Sequence, residues 1–138
     1  MRRNRYILPV LVAMLVATCL GVGCLSMGPQ TIEPTQLRGP YLAEVYQAGR
    51  LAKTVAVAQG SPDEQAIAAW LASHREGWTR SFVTYAPGRL VRGDGFNLNL
   101  HSGGLCVLNY SLGTDPQQVF RRVNAADAEA LVAATGGE

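Results

Sequence analysis

Alternating apolar and polar residues in the second half of the chain constrain its fold more than any other feature. Phe96, Leu98 and Leu100 alternate with Asn97 and Asn99, and a Ser-Gly-Gly turn follows. Successive strand side chains point to opposite faces, so the three apolar residues are expected on one sheet face and the two asparagines on the other. Parallel strands need long crossover connections, so turns this short predict an antiparallel sheet.

Similar patterns mark the other predicted strands. A hairpin is expected from Tyr41 to Val57, with Gly49 in its turn because glycine accepts the backbone angles of a tight turn. Its second arm, Thr54 to Val57, is β-branched and alternating, which favours a strand. The remaining strands are predicted at 80–85, 89–92, 105–110 and 119–123.

Two helices are predicted around this sheet. Ser61 can cap a helix from Pro62 to Glu76, Glu64 completes a capping box, and Gly77 is placed to end the helix. A shorter helix from Ala125 to Ala134 has Asn124 as its cap.

The long helix carries apolar residues at helical spacing, and these must be buried against another element. The apolar face of the sheet is the natural partner. The predicted fold class is therefore α+β: a meandering antiparallel sheet of five or six strands, one main helix packed on it, and a short C-terminal helix.

The N-terminal segment has the pattern of an export signal. Three arginines lie within the first five residues, residues 6–22 carry no charge, and Gly23-Cys24 follows. The segment before Cys24, Leu20-Gly21-Val22-Gly23, resembles the lipobox of bacterial prolipoproteins. Gly23 fits that pattern, whereas Gly21 stands where the family prefers leucine. The resemblance implies that residues 1–23 are removed and that Cys24 is lipidated, with palmitate among its acyl groups.

Other fates of this segment remain open. Cleavage before Cys19 would follow Thr18, a less suitable residue. Ordinary signal cleavage would release a soluble periplasmic or secreted protein, and an uncleaved anchor would need about 20 apolar residues. Neither residue after Cys24 is aspartate, which by resemblance to enteric lipoproteins implies the outer membrane, facing the periplasm.

The rest of the chain divides into a tether and one domain. Residues 24–39 are rich in proline, glycine and small polar residues, and are predicted to be a flexible tether. Residues 40–138 form a single predicted domain. Loss of the signal leaves nine basic and ten acidic residues, a near-neutral balance that gives no electrostatic reason to expect nucleic acid as a partner.

No catalytic set is predicted. Cys106 and His101 are the nearest candidates for a nucleophile and its base, but Cys106 lies in an apolar run that makes a thiol unreactive. His74 and His101 lack the further ligands that zinc requires, so neither a metal nor another cofactor is expected.

A binding surface is the remaining candidate site. Asn97, Asn99 and Asn109 would form a polar stripe on the sheet face opposite the core, able to bind sugar or peptide by hydrogen bonds. The alternative is that they form the solvated face of a one-sided sheet. Trp78 either closes the edge of the core or, exposed together with Tyr85, anchors a protein partner.

These observations predict a non-enzymatic lipoprotein of the cell envelope. We expect a binding or accessory module that is held to the membrane by its lipid and contacts a protein or cell-wall partner. One alternative is a periplasmic inhibitor or immunity protein that binds a protein partner. Another is a small hydrolase that uses Cys106 and His101, which would require the two side chains to meet in an open cleft.

Overall fold

A computed structural model describes residues 28–137, so the predicted signal and Cys24 lie outside the described residues. Two α-helices and seven strands follow one another along the chain. The helices are α1 (Pro62–Ser73) and α2 (Ala125–Ala134). The strands are β1 (Tyr41–Gln47), β2 (Arg50–Val57), β3 (Thr79–Arg80), β4 (Arg89–Gly93), β5 (Phe96–Leu100), β6 (Leu105–Leu112) and β7 (Asp115–Arg122).

All seven strands belong to one antiparallel sheet in the order β2-β1-β4-β5-β6-β7-β3. The predicted α+β class is confirmed, and the meander is β4 to β7. The sheet has seven strands instead of five or six, since both hairpin strands, β1 and β2, and the two-residue β3 all join the four strands of the meander. The β1–β2 hairpin adds to the meander through β1 and β4.

One face of the sheet packs against both helices and forms the main core. Helix α1 buries Ile67, Trp70 and Leu71, and α2 buries Leu131 and Ala134. The sheet side of this core includes the alternating apolar residues of the central strands, as predicted: Phe96, Leu98, Leu100, Cys106, Leu108 and Val119.

The caps at the helix starts are as predicted, whereas the end of α1 is not. Ser61 accepts a hydrogen bond from the Glu64 amide, and Asn124 accepts one from the Asp127 amide. Helix α1 ends at Ser73 instead of Glu76. The Ser73 hydroxyl and His74 Nδ1 both contact the carbonyl oxygen of Trp70, so side chains occupy an acceptor that a further turn would use.

The predicted strand at 80–85 was wrong. Only Thr79–Arg80 forms a strand, and Ser81 adds one more bond from its amide to the Gln118 carbonyl. Beyond Ser81 the chain must reach β4, which lies four strand positions away from β3. Residues Ser81–Gly88 make this crossing, and we call them the strap.

The predicted tether extends too far into the domain. Ile32 and Leu37 are buried in the core, and Gln30 pairs with Trp78 through two backbone hydrogen bonds. The prolines and glycines of this segment suggested flexibility, yet two apolar side chains among them are enough to hold it against the sheet and α1. The packed region therefore begins near Gln30 instead of at residue 40.

No helix within residues 28–137 is both long and apolar enough to cross a membrane.

Candidate functional site

The face of the sheet that points away from the helices carries a row of amide side chains. Asn97 on β5 pairs in register with Asn109 on β6, which pairs with Gln118 on β7. Their neighbours along each strand belong to the core, so these three side chains point to the other face. Asn109 donates a hydrogen bond to Asn97 over 3.1 Å. We call Asn97, Asn109 and Gln118 the amide row.

One register step along the strands, the same face is buried instead of solvated. Asn99 pairs with Leu90 on one side and Val107 on the other. All three are buried, and the side chain of Val107 is outside the core cluster beneath the helices. This face is therefore not simply the solvated side of a one-sided sheet, because Leu90, Asn99 and Val107 on it are buried.

Asn99 holds the C-terminal end of the strap against this face of the sheet. Its Oδ1 accepts a hydrogen bond from the Gly88 amide at 2.9 Å, and its Nδ2 donates to the Ala86 carbonyl at 3.0 Å. The residue is only 4% exposed. A buried asparagine with both ends of its amide bonded to the backbone is a structural anchor.

The N-terminal end of the strap is fixed by Ser81. Its amide donates to the Gln118 carbonyl at 2.9 Å, and its hydroxyl lies 3.2 Å from the Tyr85 hydroxyl. Four strand spacings amount to about 19 Å, whereas the chain from Arg80 to Arg89 can extend to about 30 Å. The strap is therefore longer than the distance it spans, and Phe82, Val83 and Thr84 between its two fixed ends are exposed.

A cleft of about 920 Å³ lies between the strap and the ends of the central strands. The amide row and the strap residues from Ser81 to Tyr85 line it, together with the β4–β5 turn. Phe82 and Val83 at its rim are 83% and 60% exposed. Exposed aromatic and aliphatic side chains beside polar groups are typical of a binding cleft.

The cleft has one charged lining residue, Arg80. No carboxylate is among the lining residues, and the Arg80 guanidinium donates a hydrogen bond to the neutral side chain of Gln117. Burial raises the pKa of the Tyr110 phenol, against a smaller opposing effect of Arg80, so Tyr110 stays neutral near pH 7. Arg92, which pairs with Asn97, forms an ion pair with Glu44 at 2.9 Å. The cleft therefore offers amides, hydroxyls, one guanidinium and an aromatic rim.

The structure brings together some of the residues predicted for the binding surface and separates others. Asn97 and Asn109 line the cleft, and Tyr85 forms part of its wall. Asn99 lies beneath the strap, where it anchors the backbone instead of facing a ligand. Trp78 is 0% exposed and its Nε1 donates to the His74 carbonyl at 2.6 Å, so it closes the core.

Two residues of the cleft were missed in the sequence. Gln118 lies one residue before the predicted start of the last strand, yet β7 begins at Asp115. Phe82 was assigned to a strand that does not form. The β-branched and aromatic residues of 80–85 favour a strand, so no local feature of the sequence marks Phe82 as unpaired.

The geometry separates Cys106 from His101. Cys106 is fully buried in the core between sheet and helices, whereas His101 contacts Asn99 on the other side of the sheet. Burial raises the pKa of the Cys106 thiol to about 12, with a smaller opposing effect from Arg121. These two side chains do not form the nucleophile and base that a hydrolase would need.

The His74 side chain contacts residues of both helices. The His74 ring stacks on Trp70 with centroids 4.0 Å apart, and its Nε2 lies 3.2 Å from an Asp127 carboxylate oxygen. His74 therefore links α1 to α2. Among the described residues, no group of three or more histidine, cysteine or carboxylate side chains is placed to hold a metal ion.

No protein-family model, curated protein or solved structure matches this chain.

Proposed function

We propose that this protein is a non-catalytic binding module of the bacterial cell envelope, tethered by a lipid on Cys24, and that the strap cleft is its binding site. The observation that carries the proposal is the amide row beneath the strap. Its side chains stand on neighbouring strands of one sheet, so their positions are fixed before a ligand arrives. Preorganised polar groups lose little conformational entropy on binding.

The rim of the cleft supports the same function. Phe82 exposes 83% of its surface, although exposure of a phenyl ring to water is unfavourable. Val83 beside it is also exposed, and both residues lie between the two fixed ends of the strap. A rim that can move slightly and cover a ligand would bury these side chains upon binding.

The nature of the side chains favours binding over catalysis. The lining residues include amides and hydroxyls but no carboxylate, histidine or cysteine that could transfer a proton or attack a substrate. The buried thiol of Cys106 lies on the helical side of the sheet, away from the amide row. A module of this kind would place or hold its partner at the membrane.

The lipid anchor has its own test. Full-length protein is expressed in a bacterium with labelled palmitate, beside Cys24→Ala, and the membranes are fractionated. We expect label and membrane association in wild type and neither in Cys24→Ala. Release of unlabelled mature wild-type protein would contradict the anchor, and unlabelled full-length protein in the membrane would identify residues 6–22 as an uncleaved span.

The binding function is tested with isolated bacterial cell-wall sacculi. The full-length chain, purified in a detergent without a sugar headgroup, is sedimented with sacculi at increasing concentrations. We expect saturable binding that is weakened in Asn97→Ala/Asn109→Ala and in Phe82→Ala. Gln47→Ala is the matched control because Gln47 is exposed at the β1–β2 hairpin, outside the cleft. Equal sedimentation of all four proteins would contradict the proposal.

A protein partner is the second candidate function, and the exposed Phe82–Val83 pair favours it. Aromatic side chains dominate the binding energy of many protein interfaces. An inhibitor or immunity protein would use this apolar rim and would not depend on the amide row. Loss of partner binding in Phe82→Ala but not in Asn97→Ala/Asn109→Ala would support that alternative.

A further inference from the structure

We propose that the strap cleft binds an uncharged oligosaccharide segment, an inference that rests on the proposed binding function. Three features of the cleft indicate this ligand class: its hydrogen-bonding groups, its charge, and the part of the sheet that forms its floor.

The hydrogen-bonding groups of the amide row match hydroxyls. Each amide side chain has two donors and an acceptor oxygen, and one internal bond joins Asn109 to Asn97. No described residue hydrogen-bonds to the side-chain amide of Gln118, so its donors and acceptor are available. A sugar hydroxyl both donates and accepts, so adjacent hydroxyls can bond to both ends of one amide.

The charge of the cleft favours a neutral ligand. Its lining has no carboxylate, and its one lining guanidinium, that of Arg80, is bonded to Gln117. A cationic ligand would be expected to meet a carboxylate, and a polyanionic ligand several cations. The lining has no carboxylate and a single cation, the exposed Arg80, whereas amide and hydroxyl groups are numerous.

The position of the floor argues against an extended peptide. Peptides that bind by strand addition pair with the backbone at the edge of a sheet. The amide row of this cleft stands on β5, β6 and β7. The backbone of β5 and β6 is paired with neighbouring strands on both sides, and the Gln118 carbonyl of β7 accepts a hydrogen bond from the Ser81 amide. These strands offer their side chains to a ligand instead of their backbone. Sheet faces that offer side chains bind oligosaccharides in other folds.

Phe82 supplies the apolar part of such a site. A sugar ring has a face of C–H groups that can pack on an aromatic ring, which removes apolar surface from water. Phe82 is at the rim of the cleft and is exposed in this structure. The cleft is open to solvent and has the volume of a small-ligand site, so it can take a short segment of a longer chain.

The test is a titration of the full-length protein, in a detergent without a sugar headgroup, with defined soluble probes. Chitotetraose carries hydroxyl and acetamido groups, and cellotetraose carries hydroxyls alone. The comparison probes are an uncharged octapeptide of alanine and serine and an anionic tetramer of galacturonic acid. Binding is followed by calorimetry at low and high salt.

We expect at least one of the two neutral oligosaccharides to bind in preference to the peptide and the anionic sugar. Its affinity should fall about tenfold in Asn97→Ala/Asn109→Ala and in Phe82→Ala. Gln47→Ala should bind as wild type does. Added salt should leave the affinity unchanged, since no charged pair forms.

Two results would overturn the inference. One is binding of the peptide or the anionic sugar in preference to both neutral sugars. The other is no binding of either neutral sugar. If the protein still sediments with sacculi in either case, and the cleft variants still weaken that sedimentation, the proposed binding function stands and only the ligand class is wrong. If the protein does not sediment with sacculi, or if the cleft variants sediment as wild type does, the binding function itself is contradicted.

Discussion

The side-chain amide of Asn99 lies 2.9 Å from Nε2 of His101. Asn99 Oδ1 already accepts the Gly88 amide hydrogen, so the nitrogen that faces His101 is a donor. His101 Nε2 must then be the acceptor, which requires a neutral imidazole. Burial lowers the pKa of His101, which acts in the same direction. The strap anchor is therefore complete only while His101 is uncharged.

Acidification should loosen the strap. The folded pKa of His101 lies below its unfolded value, so the anchoring contributes fully above about pH 6.5 and is lost as pH falls through the folded value. The measurement is the hydrogen-exchange protection factor of the Gly88 amide between pH 7.5 and 5. We expect protection to decrease at low pH in wild type.

His101→Gln is the control for that experiment, because an amide can still accept from Asn99 but does not titrate in this range. The Tyr85 ring lies beside the His101 ring, with centroids 5.7 Å apart, and Tyr85 is unchanged in this variant. An equal loss of Gly88 protection in wild type and His101→Gln would show that a different group carries the pH dependence.

Removal of the Asn99 side chain should cost more stability than removal of a neighbouring asparagine. Asn99→Ala leaves the Gly88 amide and the Ala86 carbonyl without their partner, so the free energy of unfolding should fall by about 1–3 kcal/mol. Asn97→Ala is the matched control, because Asn97 is half-buried and its side chain bonds to Asn109, which is also half-buried, instead of to the backbone of the strap. Urea denaturation of both variants measures the difference, and equal losses would refute the anchoring role.

Gly88 should not tolerate a side chain. A Cβ at this position would lie 2.6 Å from the carbonyl oxygen of Leu100, closer than real contacts allow. Gly88→Ala should therefore lift the strap or shift β5, with a cost of about 1–3 kcal/mol in the free energy of unfolding. Gly28→Ala is the control, because a Cβ there meets nothing within 4 Å. Thermal unfolding distinguishes them, and an unchanged Tm in Gly88→Ala would argue against close contact of the strap with the sheet.

Cys106 should be unreactive in the folded protein. With a pKa of about 12, its thiolate fraction at pH 8 is about a thousandfold below that of a free thiol. Iodoacetamide labelling followed by peptide mapping should modify Cys106 rapidly only in denaturant. Fast labelling of Cys106 under native conditions would contradict its burial and would reopen a catalytic role.

Local signals in the sequence were enough for the helices and for most strands. The capping residues Ser61 and Asn124 act through bonds to amides three residues away, so nearby residues predict them. The alternation in β5 likewise fixed which side chains enter the core. These features depend on spacing along the chain and are visible without the fold.

The strap and its cleft depend on contacts that spacing does not reveal. Residues 80–85 are rich in β-branched and aromatic residues, as strands are, but pairing requires a free neighbour, and β7 pairs with this segment only as far as Ser81. The role of Asn99 was also hidden, because Asn97 and Asn99 look alike in sequence and only the path of the strap buries one of them. Register between strands, which aligns Gln118 with Asn109, is set by the whole sheet.

The most direct test of a binding site at the amide row is an NMR titration with soluble fragments of digested cell wall. Isotope-labelled full-length protein in detergent gives separate signals for the side-chain amides of Asn97, Asn109 and Gln118. We expect saturable shifts of these signals and of the Phe82 backbone amide, with little change at Trp70 and Leu131 on the helical side. Shifts confined to other surfaces, or none at saturating fragment concentration, would contradict a binding site at the amide row.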